Sequence, residues 1–361
     1  MRRTTFVTTA LALISILFLS AAAAAQDVPF RGEVTTVADD TSMPLRDLMR
    51  SRASDFLLQS GEDCVWIGYS VLARERMRDS RFHGGCGRHG GEVTVIDGVT
   101  VRRGADEGIE PDGSESKAVL YLYRGDARLR RVRLLELSER YRFTIQLLWL
   151  EDVPRERSLD ALEETLNEAG SSDRLRAETL AAIAVHQGPR PGRILEGIVR
   201  SGRDVDLREQ ALFWFGFTID PEDIGPLRRL EANLRPSGLR EHLTFVYYLQ
   251  KSEAATERLI EMARGDADRE VREQAIFWLG QLASARAAEE LGRLVEDDPD
   301  AEIRAQAVFA LSQLDSPRGL ELLMRVASTN PHPDVRRAAI FWIGQSGDAR
   351  AVDFFEQLLR D

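Results

Sequence analysis

Lysine is almost missing from this chain. Lys117 and Lys251 are its only two, so arginine carries nearly all the positive charge. Basic charge as a whole is in deficit: 48 Lys+Arg stand against 59 Asp+Glu, a formal net charge of -11. That balance excludes the basic footprint with which nucleic-acid binders neutralise phosphates. Cysteine occurs twice, enough for one disulfide at most. No serine or cysteine stands in a nucleophile motif, and no glycine-rich loop precedes a helix as a phosphate cradle. Beyond residue 25 no stretch is apolar enough to span a bilayer.

The first 25 residues read differently from the rest. Arg2 and Arg3 give a short positive start, Phe6 to Leu19 is apolar, and Ala21 to Ala25 precede Gln26. This is the three-part pattern of a secretory signal with a small-residue cleavage site. The apolar run is shorter than the ~20 residues a membrane span needs. No cysteine follows it, which argues against a lipid anchor. The expectation is an exported protein, periplasmic or extracellular, without stable membrane insertion once residues 1–25 are removed.

Residues 26–60 are partly helical or irregular: from Pro44 to Leu58, Leu45, Leu48, Met49 and Phe56 follow helical spacing. Residues 61–153 carry strand signals. Cys64 to Val71 is rich in β-branched and aromatic residues. Val93 to Arg102 reads as a tight hairpin turning at Asp97-Gly98. Ala118 to Tyr123 and Leu129 to Leu137 flank Gly125-Asp126 as another, and Phe143 to Leu150 adds a strand. A small antiparallel β-rich domain of five or six strands is expected.

From residue 158 to 361 the period becomes helical and then repeats. Leu159, Leu162 and Leu166 mark a leading amphipathic helix. Arginine then recurs every 32 residues, at Arg176, Arg208, Arg240, Arg272, Arg304 and Arg336. Seven after each stand Ile183, Phe215, Tyr247, Leu279, Leu311 and Ile343; nineteen after stand Leu195, Leu227, Leu259, Leu291, Leu323 and Phe355. A fixed period of this length means a stacked array of two-helix units. Asp300 is placed to cap a first helix, and Ser316-Pro317 restarts the chain as cap and first helical residue. Asp220-Pro221, Ser252-Glu253, Ser284-Ala285 and Asp348-Ala349 repeat that restart.

Most copies carry an acid, an aliphatic residue and arginine: Asp206-Leu-Arg208, Glu270-Val-Arg272, Glu302-Ile-Arg304 and Asp334-Val-Arg336. In this the stretch resembles the short HEAT-like repeats of the phycobilisome-lyase type. Arg174-Leu-Arg176 and Gly238-Leu-Arg240 depart from the motif by lacking the acid. The resemblance implies a right-handed α-solenoid of six repeats that binds partners. It implies no reaction, because sites are grafted onto folds. Iron-dependent hydroxylases built from similar repeats use His-Glu dipeptides. None of the five histidines here precedes glutamate, and Glu241-His242 is the reverse order. The bilin-lyase activity of some relatives needs a bilin-bearing system inside the cell, which the export signal opposes.

Four sets of residues are candidates for function. The arginine column lies beside apolar positions on the helical wheel, so it reads as a structural ladder paired to acids two residues earlier and to carbonyls of adjacent repeats. Trp214, Trp278 and Trp342 stand six after the arginine, and Phe213, Phe245, Phe277, Phe309 and Phe341 five after. They serve either as packing between repeats or as an exposed strip that grips a polypeptide or glycan. Glu257, Glu289, Glu321 and Asp353, with Arg293 and Arg325 nearby, form a charged ridge on the second helices. That ridge is the partner-binding candidate, with a solvated face as the plain reading. Cys64 and Cys86 pair as a disulfide in an oxidising compartment, while His83, Cys86 and His89 in a glycine-rich stretch are the rival metal set.

The sequence therefore points to an exported, non-catalytic scaffold or adaptor without a cofactor, binding a protein partner in the cell envelope. The rivals are a metal- or ligand-binding sensor using the β-rich domain, and an enzyme with an unrecognised site. The last repeat, ending Leu358-Leu359-Arg360-Asp361 without a polar cap, is an expected homodimer surface.

Overall fold

The computed structural model describes residues 30–77, 93–96, 99–102, 116–137, 141–168, 171–202, 204–282, 284–314 and 317–360. The chain forms two compact units, Met1–Pro191 and Gly192–Asp361. Among the described residues no helix is long and apolar enough to cross a membrane.

The first unit is built on a seven-stranded sheet: β1 (Phe30–Val37), β2 (Cys64–Leu72), β3 (Val93–Ile96), β4 (Val99–Arg102), β5 (Ser116–Arg124), β6 (Arg128–Glu136) and β7 (Tyr141–Leu150). The strands run in the order β3-β4-β7-β2-β5-β6, with β1 also paired to β7. Both hairpins expected from turn chemistry are present, β3–β4 and β5–β6. The sheet is mixed, however, which corrects the antiparallel expectation. β1 lies parallel to β7, from Phe30 opposite Tyr141 to Val37 opposite Leu150, and β2 is parallel to β7 at Trp66–Gly68. The cause is topological. Helix α1 (Leu45–Ser60) carries the chain from β1 to β2 as a crossover, and a crossover yields parallel strands where a hairpin yields antiparallel ones. Residues 30–37 had no period-2 signal strong enough to mark β1 in advance.

β2 is buried on both faces. On one, Trp66 packs with Ala118, Leu120, Leu122, Phe143, Leu147 and Trp149. Gly68 faces this layer, where a Cβ would sit 2.2 Å from the Leu120 side chain and 3.3 Å from Trp149. On the other face, Val65, Ile67 and Tyr69 are fully buried. There α1 lies against β2 and β5, α3 (Asp173–Val185) against β6, and α2 (Arg155–Asn167) touches both helices. This unit thus includes the leading helix and the first helix carrying the arginine column.

The second unit holds the remaining helices: most of α4 (Arg190–Ser201), then α5 (Val205–Thr218), α6 (Gly225–Glu231), α7 (Ser237–Gln250), α8 (Glu253–Gly265), α9 (Arg269–Gly280), α10 (Ala285–Asp297), α11 (Ala301–Gln313), α12 (Pro317–Thr329), α13 (Pro333–Gln345) and α14 (Arg350–Leu358). The caps sit where the sequence places them. Asp300 accepts from Glu302 N–H at 2.9 Å, Ser252 from Ala255 N–H at 3.3 Å and Ser284 from Ala287 N–H at 3.4 Å. Each satisfies one orphan donor of a first turn. One restart is displaced: after Asp220-Pro221 the chain makes turns, and α6 begins only at Gly225 and lasts seven residues. Ser316 lies outside the described residues. Helices α5, α7, α9, α11 and α13 stack as one layer, and each of α8, α10 and α12 packs on the first helix that follows it. Buried columns fill the space between layers, among them Leu243, Tyr247, Leu259, Ala275, Leu279, Leu291, Ala307 and Leu311.

Candidate partner-binding surface

The arginine column is spent on holding successive repeats together. Each second helix ends with carbonyls that have no intrahelical partner. Arg272 donates to the Asp266 carbonyl at 2.8 Å, Arg304 to Asp298 at 2.7 Å and Pro299 at 3.1 Å, and Arg336 to Asn330 at 2.7 Å. In each case an acceptor lies six residues back, at the exit of the preceding helix, and Pro299 adds one five back. Arg208 bridges more widely, from Nε to the Val199 carbonyl and from Nη1 to that of Arg235, both at 2.7 Å. Arg240 takes the Asp266 carboxylate instead, at 3.2 and 3.3 Å. Arg176, in the first unit, approaches Asp173 at 3.7 Å. Of the two expected kinds of partner, carbonyls serve Arg208, Arg272, Arg304 and Arg336, and the acids two residues earlier do not. Two residues along a helix turn the side chain about 200° away, at 3.6 residues per turn. Glu302 pairs instead with Arg269 of the preceding repeat.

The aromatic columns run along the first-helix layer. Phe213 stacks on Phe245 with centroids 6.0 Å apart, Phe245 meets Trp278 at 4.7 Å, and Tyr248 meets Trp278 at 4.8 Å. Trp214 lies edge-on to Phe213 at 4.9 Å; further on, Phe309 meets Trp342 at 5.2 Å and Trp342 meets Phe341 at 5.0 Å. These rings pack sideways, ring on ring, while the aliphatic columns fill the core. Trp214, Phe245, Tyr248, Trp278 and Trp342 are therefore half-buried, and Phe341 is 56 % exposed. The columns pack between repeats and present a ring edge to solvent at the same time.

Carboxylates border the ladder one turn before the phenylalanines. Burial raises the Glu209 carboxyl above its ordinary range, and Asp206 and Glu241 add to the shift. Glu241 is raised in the same way by burial, Asp268 and Glu270. Glu209 and Glu241 thus sit among neighbouring acids, and Arg240 offsets part of the effect at Glu241. His242, next to Glu241 in sequence, has its pKa lowered by burial and meets Phe245 edge-on at 6.2 Å.

The second-helix ridge is more balanced. Glu257 accepts from Arg286 of the next repeat at 2.5 and 3.2 Å, and Glu321 lies 3.8 Å from both Arg318 and Arg350. Arg325 donates to Glu296 at 2.9 Å, and Arg293 lies 3.7 Å from Glu290. Glu289 and Asp353 are exposed on α10 and α14.

Sequence reading missed two buried polar sites. Glu231 accepts from the Tyr247 hydroxyl at 3.0 Å and from Arg258 at 2.5 and 3.0 Å, tying α6, α7 and α8 together. In the first unit, Tyr121, Tyr69, Ser158 and His186 form a hydrogen-bonded chain with every link at 2.8 Å. His186 Nδ1 lies 2.7 Å from the Ala182 carbonyl, which only accepts, so Nδ1 carries the proton and Nε2 accepts from Ser158. All four side chains are at most 1 % exposed, without a carboxylate or an approach for substrate, which makes this a structural network. Spacings of 52, 89 and 28 residues leave no local signal for it.

Cys64 opens β2 half-buried, and its thiol pKa is raised, chiefly by burial. Its expected partner Cys86, and the metal candidates His83 and His89, lie outside the described residues. Among the described residues no group of three or more His, Cys, Asp or Glu side chains could hold a metal ion.

Comparison with known proteins agrees with this geometry. Residues 256–341 match the HEAT repeat family model, and residues 335–361 match that of the PBS lyase HEAT-like repeat. No curated protein matches the chain in sequence. Among solved structures, human deoxyhypusine hydroxylase in complex with glycerol is 19 % identical over 56 % of this chain and 75 % of its own, with a TM-score of 0.29. The complex of CpcE and CpcF of phycocyanin lyase from Nostoc sp. PCC7120 is 18 % identical over 56 % of this chain and 84 % of its own, with a TM-score of 0.31. Likeness at that level says nothing of activity. With its two-layer helices, arginine staples and matching family models, the C-terminal part of this chain is a HEAT-like repeat array.

Proposed function

We propose that this protein is an exported, non-catalytic scaffold that holds a protein partner in the cell envelope on the first-helix layer of its array. The aromatic ladder carries the reading: its half-exposed rings, in one run from Phe213 to Trp278 and another from Phe309 to Trp342, are anchors of the kind that dominate protein interfaces. HEAT-like repeats are an interaction architecture, which supports the coarser reading of a scaffold. The ridge of Glu257, Glu289, Glu321 and Asp353 is the second surface. Two of its acids already face arginines, so a cationic partner there has to displace protein charges.

In-cell photo-crosslinking tests both surfaces. A crosslinker at Phe341 that captures one partner, lost when Trp214 and Trp278 become alanine, supports the ladder. Capture only from Asp353 moves the site to the ridge. Capture from neither position rejects the scaffold. Export is tested separately by sequencing the N-terminus of the cell-derived protein: a start near Gln26 supports it, and an intact Met1 refutes it. Self-pairing of the last repeat is favoured by the exposed Val352, Leu358 and Leu359. Light scattering over a concentration series tests it, and a constant monomer mass rejects it.

A further inference from the structure

The first unit contains a cavity of about 500 Å³ among α1, the β5–β6 hairpin and the start of α3. Its lining is strongly basic in an acidic chain: Arg46 and Arg50 come from α1, Arg128 and Arg130 from β6, and Glu168 is the single acid among its described lining residues. Glu168 is engaged by Arg46 at 2.7 Å. Arg128 meets Asp126 at 2.9 Å, with both side chains more than half exposed. Arg50 and Arg130 have no carboxylate partner among the described residues. Arg130 owes its place to a β-bulge. Leu122 pairs with Arg131 and Tyr123 with Leu129, so Arg130 is the extra residue between them. Bulges of this kind re-aim a side chain out of the ladder.

The floor of the cavity supplies a further donor. Tyr123 is 2 % exposed, yet it lines the cavity, and its hydroxyl has no hydrogen-bond partner among the described residues. The hydroxyl oxygen itself opens on the cavity, where it is free to donate to a bound group. Ser171 and Ser172 stand at the rim, and Ala127, Leu129 and Leu175 give an apolar wall. Two free guanidinium forks and a hydroxyl donor converge on one space. That set matches the several terminal oxygens of a dianion, and arginine forks bind phosphate bidentately.

We propose that this cavity binds a small phosphate monoester, with Arg50 and Arg130 holding the phosphate, Tyr123 donating to it from below, and Leu129 and Leu175 against its organic part. The monoester reaches the site either free in solution or as the headgroup of a phosphatidate lipid.

The test is titration calorimetry of the full chain with glycerol 3-phosphate at low ionic strength, with glycerol as the neutral control. Flotation with phosphatidylcholine vesicles, with and without phosphatidic acid, separates the two sources. We expect binding of the phosphate compound alone. Arg50→Gln/Arg130→Gln, at two exposed side chains, raises Kd about tenfold or more through loss of two charge-assisted forks. Tyr123→Phe raises it severalfold, and Arg350→Gln, in the other unit, leaves it unchanged. Circular dichroism of each variant confirms its folding. Flotation alone, with the same arginine dependence, assigns the lipid source. The proposal is overturned if neither phosphate probe binds, or if binding is indifferent to the double arginine change.

Discussion

Acid is expected to destabilise the first unit through His186. The imidazole is 1 % exposed, and its pKa falls from the ordinary 6.5 to about 4. Burial is the main cause, opposed by the hydrogen bond to the Ala182 carbonyl. A second proton would turn Nε2 into a donor and reverse the Ser158 hydroxyl, and with it Tyr69 and Tyr121. Because the folded pKa lies below the unfolded one, the contribution is fully present above pH 6.5. It is lost as pH falls from 6.5 to 4, where the unfolded chain takes up a proton that the folded one refuses. The gap of about 2.5 units corresponds to about 3 kcal/mol, at 1.36 kcal/mol per unit. Urea unfolding followed by pulsed hydrogen exchange, read on peptides from β2, β5, α2 and α3, isolates this unit. Wild type should lose about 3 kcal/mol more than His186→Gln between pH 7 and pH 4. Carboxylate titrations occur in both proteins and cancel in the difference. Equal pH dependence of the two, or an NMR midpoint for His186 near 6.5, refutes the reasoning.

Three further outcomes are expected from the array. Arg304→Ala strips the Asp298 and Pro299 carbonyls of their donor and should cost about 2 kcal/mol in urea unfolding of the second unit. By contrast Arg350→Ala, which removes only exposed contacts to Asp348 and Glu321, should leave the transition where it is. Glu231→Gln takes the buried carboxylate from half-buried Arg258, leaving it only the exposed Glu261, and should cost about 2 kcal/mol, seen as early hydrogen exchange in α6 and α8; unchanged protection there would discount the pairing. Gly280→Val drives a Cβ to 2.8 Å from the Ala310 carbonyl oxygen and should destabilise the α9–α11 contact by about 2 kcal/mol, measured by thermal unfolding.

Legibility in the sequence followed the range of the interaction. Repeat boundaries, helix caps and the core columns are set by neighbours within one 32-residue period, so Asp300, Ser284 and Leu311 announced their roles. The two hairpins were equally visible, since Asp97-Gly98 and Gly125-Asp126 join the strands they pair. The parallel pairing of Phe30 with Tyr141 joins residues far apart in the chain, and a crossover leaves no turn signature to read. The aromatic columns were ambiguous for another reason. A helical wheel gives a direction but not a neighbour, and the neighbouring first helix decides how much of Trp278 stays wet. The phosphate cavity was invisible because its arginines, tyrosine and serines come from separate elements, and the bulge that frees Arg130 exists only once β5 and β6 pair.

The staples that join successive helices have one more consequence. Arg272, Arg304 and Arg336 bind main-chain oxygens, which every residue possesses. The junction therefore asks only for an arginine at one position and a helix exit six residues before it. Gene duplication of any 32-residue segment would deliver both halves of a joint together. The array can lengthen or shorten by whole units while its outward side chains drift, and evolution is left free to rewrite the gripping surface without touching the hinge pins.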